Sequence, residues 1–374
     1  MKGVFFMPIE AYLMFKDIKI ARLIFGDYSF KLVDTYVDMF PVHSDAELHR
    51  WWSLRQTPYS KTHMMDVYKF LNINSPIDFI KITKFASVND CFWVKTDNKQ
   101  SWSNVNLFTN HFTKAISDIE MSGVAQGIPS HNIYSPSFTL GGSFPKTWVH
   151  KDGKIVLLKA SHHQDGELKD SSIYSEVLTN QVCETLGIKD YVKYRLARYK
   201  DVNVCACDSF TNENIMYYPL VYYIQGYPTY EQVKSLLGNY RQFYLMTLLD
   251  YLTLNIDRHT GNYGYLVSSN NFSIMGMSPI FDNNYSLLSE KAIIKANRDE
   301  IFDYVLTTES RFGCLIHDLA LYLIKDFPES IELCRRLLKF EFKHIGNIDR
   351  RRLKKLSYIV RLQAKELIRL SSNF

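Results

Sequence analysis

Apolar and polar positions alternate in short runs over residues 1–42. The clearest run is Ile18-Lys19-Ile20-Ala21-Arg22-Leu23-Ile24-Phe25, followed by a turn signal at Gly26-Asp27. A period of two predicts half-buried strands, so this stretch reads as a small β-rich module. The period then lengthens. Over residues 44–74, Leu48, Trp51, Trp52 and Leu54 supply the apolar face of a helix, with Asp45 placed to cap its start. The Trp51-Trp52 pair reads as core packing. Residues 76–112 are less regular and rich in aromatics, with Phe92-Trp93-Val94, Trp102 and Val105-Asn106-Leu107-Phe108. Nothing in them carries recognisable chemistry.

The character changes at residues 134–160. Ser, Thr and Gly cluster from Ser135 to Ser143, then come Trp148-Val149, a turn at Lys151-Asp152-Gly153, and the run Ile155-Val156-Leu157-Leu158-Lys159. The pattern predicts strand, Gly-rich turn, strand, hairpin, strand. Residues 171–187 predict a helix that ends at Gly187, a C-cap position. Residues 191–224 hold further strand-like runs. Beyond about residue 229, Leu236, Leu237, Tyr240, Phe243, Tyr244, Thr247, Leu248 and Leu249 recur at helical spacing. A polar, non-helical insert at 255–290 interrupts that half. The organisation is α+β. It divides into an N-terminal accessory domain (1–125), a β-rich region (126–228) and a helical region (229–374).

Composition sets limits on this picture. Hydrophobic residues are 46% and charged residues 22% of 374, an ordinary globular balance. A net charge of +5 is too mild for a dedicated nucleic-acid binder, though it suits a polyphosphate ligand equally well. The C-terminal run Arg350-Arg351-Arg352-Leu353-Lys354-Lys355, with Arg361, Lys365 and Arg369, shares its segment with Leu353, Leu356, Ile359 and Val360. It reads as the solvated basic face of an amphipathic helix, so nucleic acid is not the expected partner. Six cysteines without a CxxC pair read as reduced structural thiols; Cys205-x-Cys207 lacks nearby partners for a zinc site. Glu10 and Lys16 break the apolar N-terminus, and no stretch approaches the roughly 20 apolar residues that span a bilayer. The expectation is a cytoplasmic protein without a membrane partner.

Four segments carry candidate chemistry. The first is Asn255-Ile256-Asp257-Arg258-His259-Thr260-Gly261-Asn262. Phosphoryl transfer needs a carboxylate near the attacking hydroxyl and an oxygen ligand for Mg²⁺ close by. Asp257 and Asn262 supply both from one loop. The second is Ser278-Pro279-Ile280-Phe281-Asp282-Asn283-Asn284, where Asp282 is a second hard oxygen ligand for Mg²⁺. A hairpin fits between Asn262 and Asp282. The third is Thr139-Leu140-Gly141-Gly142-Ser143-Phe144-Pro145-Lys146. Its glycines allow close backbone approach to phosphate, although it matches neither GxGxxG nor a Walker sequence. The fourth is Lys159, which ends an apolar strand and is placed to reach ATP phosphates. Glu176 is its best carboxylate partner, with Glu184 second. The order Gly-rich turn, Lys159, Glu176, Asp257, Asn262, Asp282 is that of a protein kinase.

At these residues the chain resembles the bacterial HipA-like serine/threonine kinases. The stretch 255–288, NIDRHTGNYGYLV through PIFDNNYSLL, resembles theirs closely, and Ser137–Lys159 with Glu176 resembles their phosphate loop, ATP lysine and helix glutamate. The resemblance covers about residues 134–325. It implies a bilobal protein-kinase-like fold, with a β-rich N-lobe, a helical C-lobe and an N-terminal accessory module. It implies ATP and Mg²⁺ as cofactors and Asp257 as the catalytic Asp. Asn262 and Asp282 become metal ligands, and Lys159 becomes an ATP contact beside Gly141, Gly142 and Ser143. It further implies a protein substrate, an antitoxin-like protein partner, and autophosphorylation at Ser137, Thr139 or Ser143. Three departures stand out: the phosphate loop has its own wording, Asp282 is followed by Asn-Asn so there is no DFG, and the accessory N-terminal region matches no partner-binding domain. The DRHxxN pattern also resembles phosphoinositide kinases, where His259 shares the acid–base work; otherwise His259 only braces the loop. A kinase of a lipid or other small molecule and a non-catalytic ATP-binding scaffold are the alternative functions.

Overall fold

The computed structural model describes residues 8–26, 30–55, 61–124, 133–139, 141–224 and 226–372. The alternating N-terminal runs form strands β1 (Ile9–Phe15), β2 (Ile18–Phe25) and β3 (Phe30–Thr35). Asp27 of the expected turn lies outside the described residues. Helices α1 (Asp45–Ser53), α2 (Met64–Phe70) and α3 (Pro76–Thr83) follow, then β4 (Phe92–Lys95). The four strands make one antiparallel sheet in the order β3-β2-β1-β4. Its buried positions include Leu13, Ile20, Leu23, Phe25, Phe92, Trp93 and Val94. Trp51 is fully buried, and Trp52 packs on Phe25 and Phe85 with centroids 4.9 and 4.2 Å away. The tryptophan pair is therefore core.

Two local readings change. Ser44, not Asp45, caps α1: its backbone is extended and its Oγ accepts the Glu47 N–H. The irregular stretch after residue 75 contains a helix, α3, whose start carries an N-cap Ser75 and Pro76 in the first turn.

Helix α4 (Lys114–Ser122) precedes the hairpin of β5 (Lys146–Lys151) and β6 (Lys154–Ala160). The strand expected before the glycines is instead a 3₁₀ turn at Pro136–Thr139. Pro136 has no N–H to offer a ladder, and the Thr139 hydroxyl closes the turn on the Pro136 carbonyl.

Helix α5 (Ser171–Leu186) ends as expected at Gly187, which is left-handed with φ 78°. Then come β7 (Arg195–Tyr199), β8 (Val202–Asp208), β9 (Ile215–Pro219), α6 (Tyr230–Leu237) and α7 (Arg241–Thr253). The insert forms β10 (Gly264–Ser268) and β11 (Ile274–Met277), and the chain finishes with α8 (Arg298–Thr307), α9 (Leu319–Asp326), α10 (Glu329–Arg335) and α11 (Arg350–Ser371). α+β is the observed class, with antiparallel sheets among helices.

The described residues of Met1–Lys159, Thr211–Tyr217 and Val267–Ser273 form one compact unit. Those of Ala160–Phe210, Tyr218–Leu266 and Ile274–Phe374 form a second. In the second unit, α11 buries Leu353, Leu356, Ile359, Val360, Ala364 and Leu367. Its Gln363 exchanges backbone contacts with Tyr251 of α7. Arg350, Arg351 and Lys354 are exposed, but Arg352 is not part of a solvated face. It is buried and donates to the carbonyls of Leu288 and Lys291, at 2.7 and 2.9 Å. Among the described residues, no helix is long and apolar enough to cross a membrane. Burial raises the thiol pKa of Cys91 and of Cys334 to about 12, as suits inert structural thiols.

Candidate active site

Helix α7 stops because Leu254 turns left-handed, with φ 54°, and releases the chain into the 255–262 loop. Short internal hydrogen bonds fix that loop. Asn255 accepts the Asp257 N–H at 3.1 Å and donates to Asp250 Oδ1 at 3.0 Å. The His259 N–H donates to the Asp257 carbonyl at 2.7 Å, and the Asn262 N–H to the His259 carbonyl at 2.8 Å. Asn262 Nδ2 also donates to the Asp257 carbonyl, at 3.1 Å. With its nitrogen engaged, Asn262 has Oδ1 left to offer, the hard oxygen that Mg²⁺ takes.

Arg258 ties this loop to the segment that carries Asp282. The side chain is almost fully buried. Its Nε and Nη2 donate to Asp250, Nη1 to the Phe281 carbonyl, and Nη2 to Asn283 Oδ1 at 2.6 Å. Burial pushes the Asp250 carboxyl up, and Arg258 and Asn255 pull against it. Asp282 itself is left-handed, with φ 61°, a conformation that Asp and Asn tolerate better than most residues. Its N–H donates to the Tyr194 hydroxyl at 3.2 Å.

Helix α5 holds the same segment from its buried face. Glu176 accepts the Asn283 N–H at 2.7 Å. Ser175 Oγ lies 2.7 Å from the Asn283 carbonyl and 2.6 Å from that of Ser286. Glu176 thus braces the chain next to Asp282. His259 is partly open to solvent, and its Nδ1 accepts the Gly261 N–H at 3.1 Å. Packing around the ring lowers its pKa, against opposing pulls from Asp257 and Asp282. The contact it makes is a loop brace. The second unit therefore gathers Glu176, Asp257, His259, Asn262 and Asp282.

Two participants went unassigned in the sequence. Arg258 sits inside the DRHTGN motif, but nothing local announces Asp250 and Asn283 as its partners. Arg311 lies in a stretch with no motif. It donates from Nε and Nη2 to Asp257 Oδ1, at 3.1 and 2.6 Å. Only chain folding could reveal that contact.

The first unit carries the Gly-rich segment and Lys159. Gly142 and Gly141 are exposed, and Gly142 has φ 82°, where a side chain is strained. Leu140 lies outside the described residues. The segment is anchored on both sides. Ser137 is buried and its hydroxyl donates to Glu120, whose other oxygen accepts Lys61 Nζ at 2.5 Å. On the far side, the Thr62 N–H and Oγ1 both donate to the Ser143 carbonyl, at 3.4 and 3.0 Å. Of the three expected phosphorylation sites, Ser143 is exposed, Thr139 is half-buried and Ser137 is buried. Lys159 is buried and pairs in register with Lys146, so two cations share one face of the hairpin.

Among the described residues no group of three or more His, Cys, Asp or Glu is arranged to hold a metal ion. Asn262 and Asp282 supply one amide and one carboxylate oxygen, and Mg²⁺ sites commonly take only one or two carboxylates with phosphate and water completing the shell.

No protein-family model matches the sequence, and no curated protein matches it. Solved structures do. One is a Helicobacter pylori proinflammatory kinase, CtkA, at 16% identity over 63% of this chain and 92% of that one, with a TM-score of 0.47. Another is from the toxin–antitoxin complex of HipA, HipB and operator DNA of Shewanella oneidensis MR-1. It is 12% identical over 97% of each chain, with a TM-score of 0.49.

Proposed function

We propose that the chain is an ATP- and Mg²⁺-dependent phosphotransferase that phosphorylates Ser or Thr hydroxyls of a protein. One observation carries the proposal. A single braced loop presents the Asp257 carboxylate and the Asn262 amide oxygen, and Arg258 bolts it to the segment of Asp282. The close resemblance of residues 255–288 to HipA-like kinases supports the same reading.

In this mechanism Asp257 aligns the acceptor hydroxyl and takes its proton as the γ-phosphoryl group transfers. Asn262 Oδ1 and the Asp282 carboxylate would hold Mg²⁺. Bound there, it would supply charge neutralisation at the phosphate oxygens. Arg258, Glu176 and Ser175 keep these groups in place, so little reorganisation is needed during transfer. Lys159, with Lys146 beside it, is assigned to the ATP phosphates, and the exposed Gly141-Gly142-Ser143 backbone to phosphate contact. Ser143 is the favoured autophosphorylation site because it alone of the three is exposed. An antitoxin-like partner belongs to the proposal only through the resemblance.

The test is phosphate transfer from γ-labelled ATP by wild type, Asp257→Asn and Asp282→Asn. Asn suits position 282 because it tolerates the left-handed backbone. Each variant is expected to keep its fold and lose on the order of 100-fold or more in transfer. Wild-type transfer by a folded variant removes that residue from the mechanism. Label that reaches only lipid or a metabolite replaces the protein acceptor with a small one.

A further inference from the structure

Asp257 Oδ1 accepts two donors from one guanidinium, at 3.1 and 2.6 Å. Among the described residues, Oδ2 has no hydrogen-bond donor. A general base needs one oxygen held and one oxygen available. That division is what Arg311 produces.

The loop that carries Arg311 is built to keep it there. Glu309 and Leu315 form an antiparallel bridge. The Ser310 N–H donates to the Cys314 carbonyl at 2.8 Å, and Ser310 Oγ also reaches that carbonyl and accepts the Phe312 N–H. Phe312 is buried, which anchors the residue next to Arg311. Gly313 makes the turn with φ 68°. The Arg311 guanidinium lies 5.4 Å from the centre of the Tyr227 ring, a cation–π contact on its other side. The arginine is thus fixed by its loop, by an aromatic face and by the carboxylate. Its side chain is 39% exposed, so its charge is not needed to satisfy a buried partner. A surface ion pair of this kind adds little to stability. Its value lies in orientation.

We infer that Arg311 is a positioning residue for phosphoryl transfer: it holds Asp257 by Oδ1 so that Oδ2 receives the acceptor hydroxyl. The inference rests on the kinase reading of Asp257. A bidentate grip on one oxygen requires the planar fork of arginine, and lysine offers only a point charge.

The experiment measures kcat and the KM for ATP in Arg311→Ala and Arg311→Lys, each also combined with Asp257→Asn. Thermal melting checks the folds. The expected result is a 10- to 100-fold fall in kcat for Arg311→Ala, with the KM for ATP within about twofold of wild type. Arg311→Lys should recover only part of the loss. Adding Arg311→Ala to Asp257→Asn should cause no further fall, because the residue acts through that carboxylate. Wild-type kcat in Arg311→Ala overturns the inference. So does an equal fall in the Asp257→Asn background, or a loss confined to the KM for ATP. Wild-type transfer by Asp257→Asn overturns the kinase assignment of Asp257 itself, and this inference with it.

Discussion

Arg258 lies in the middle of the DRHTGN motif, yet its side chain turns into the interior. It is buried against Asp250, the Phe281 carbonyl and Asn283. Removing one member of a buried pair leaves the other charge uncompensated, at a cost of about 3–5 kcal/mol. Arg258→Met is therefore expected to lose about that much stability in urea unfolding. It should also lose transfer, because the Asp282 segment is no longer tied to the loop. A variant as stable as wild type would show that the bolt is dispensable. At this scale the sequence was informative where neighbouring residues set the placement. That Asp257 and Asn262 share one loop, and that Asp282 follows a hairpin, was legible from spacing. Arg258 and Arg311 were not legible as partners, since their contacts join residues that only folding brings together. The anchored state of Ser137 was invisible for the same reason: its partner, Glu120, is 17 residues earlier on another element.

Among the elements, local signals worked where the chain obeys one period. The N-terminal strands, the α5 helix and its Gly187 end follow from alternation, helical spacing and cap chemistry. They failed where short polar turns decide. Ser44 caps α1 because its hydroxyl is a good acceptor in an extended backbone, and Pro136 turns an apparent strand into a 3₁₀ turn. Helix α4 supplies Glu120, which joins Lys61 to the 3₁₀ turn before the glycines. Both charged side chains of that pair are fully buried. Lys61→Met should destabilise by about 3–5 kcal/mol, and the double change Lys61→Met/Glu120→Met should recover part of it. Urea unfolding of the two variants checks this. Equal stability of Lys61→Met and wild type would mean that the clamp contributes nothing.

For the molecule as a whole, each unit carries a legible share of the proposed chemistry. The first holds the Gly-rich segment and the Lys146–Lys159 face, and the second holds the braced loop and Asp282. The mild net charge of +5 fits a polyphosphate ligand, and the buried Arg352 shows that part of the C-terminal basic run serves packing instead. A ligand that binds only the folded chain stabilises it by about 2.7 kcal/mol at 100 times its Kd. Mg-ATP is therefore expected to raise the melting temperature of wild type, and EDTA to remove most of that rise if Asn262 and Asp282 hold the metal. An unchanged melting temperature at saturating Mg-ATP would contradict nucleotide binding. The most direct test of the central claim is intact-mass spectrometry of the purified chain after incubation with Mg-ATP, beside Asp257→Asn. The account predicts that wild type gains phosphate, mapped to Ser143, and that Asp257→Asn gains none. Equal gain by both, or no gain by a wild type that also fails to bind Mg-ATP, would contradict it.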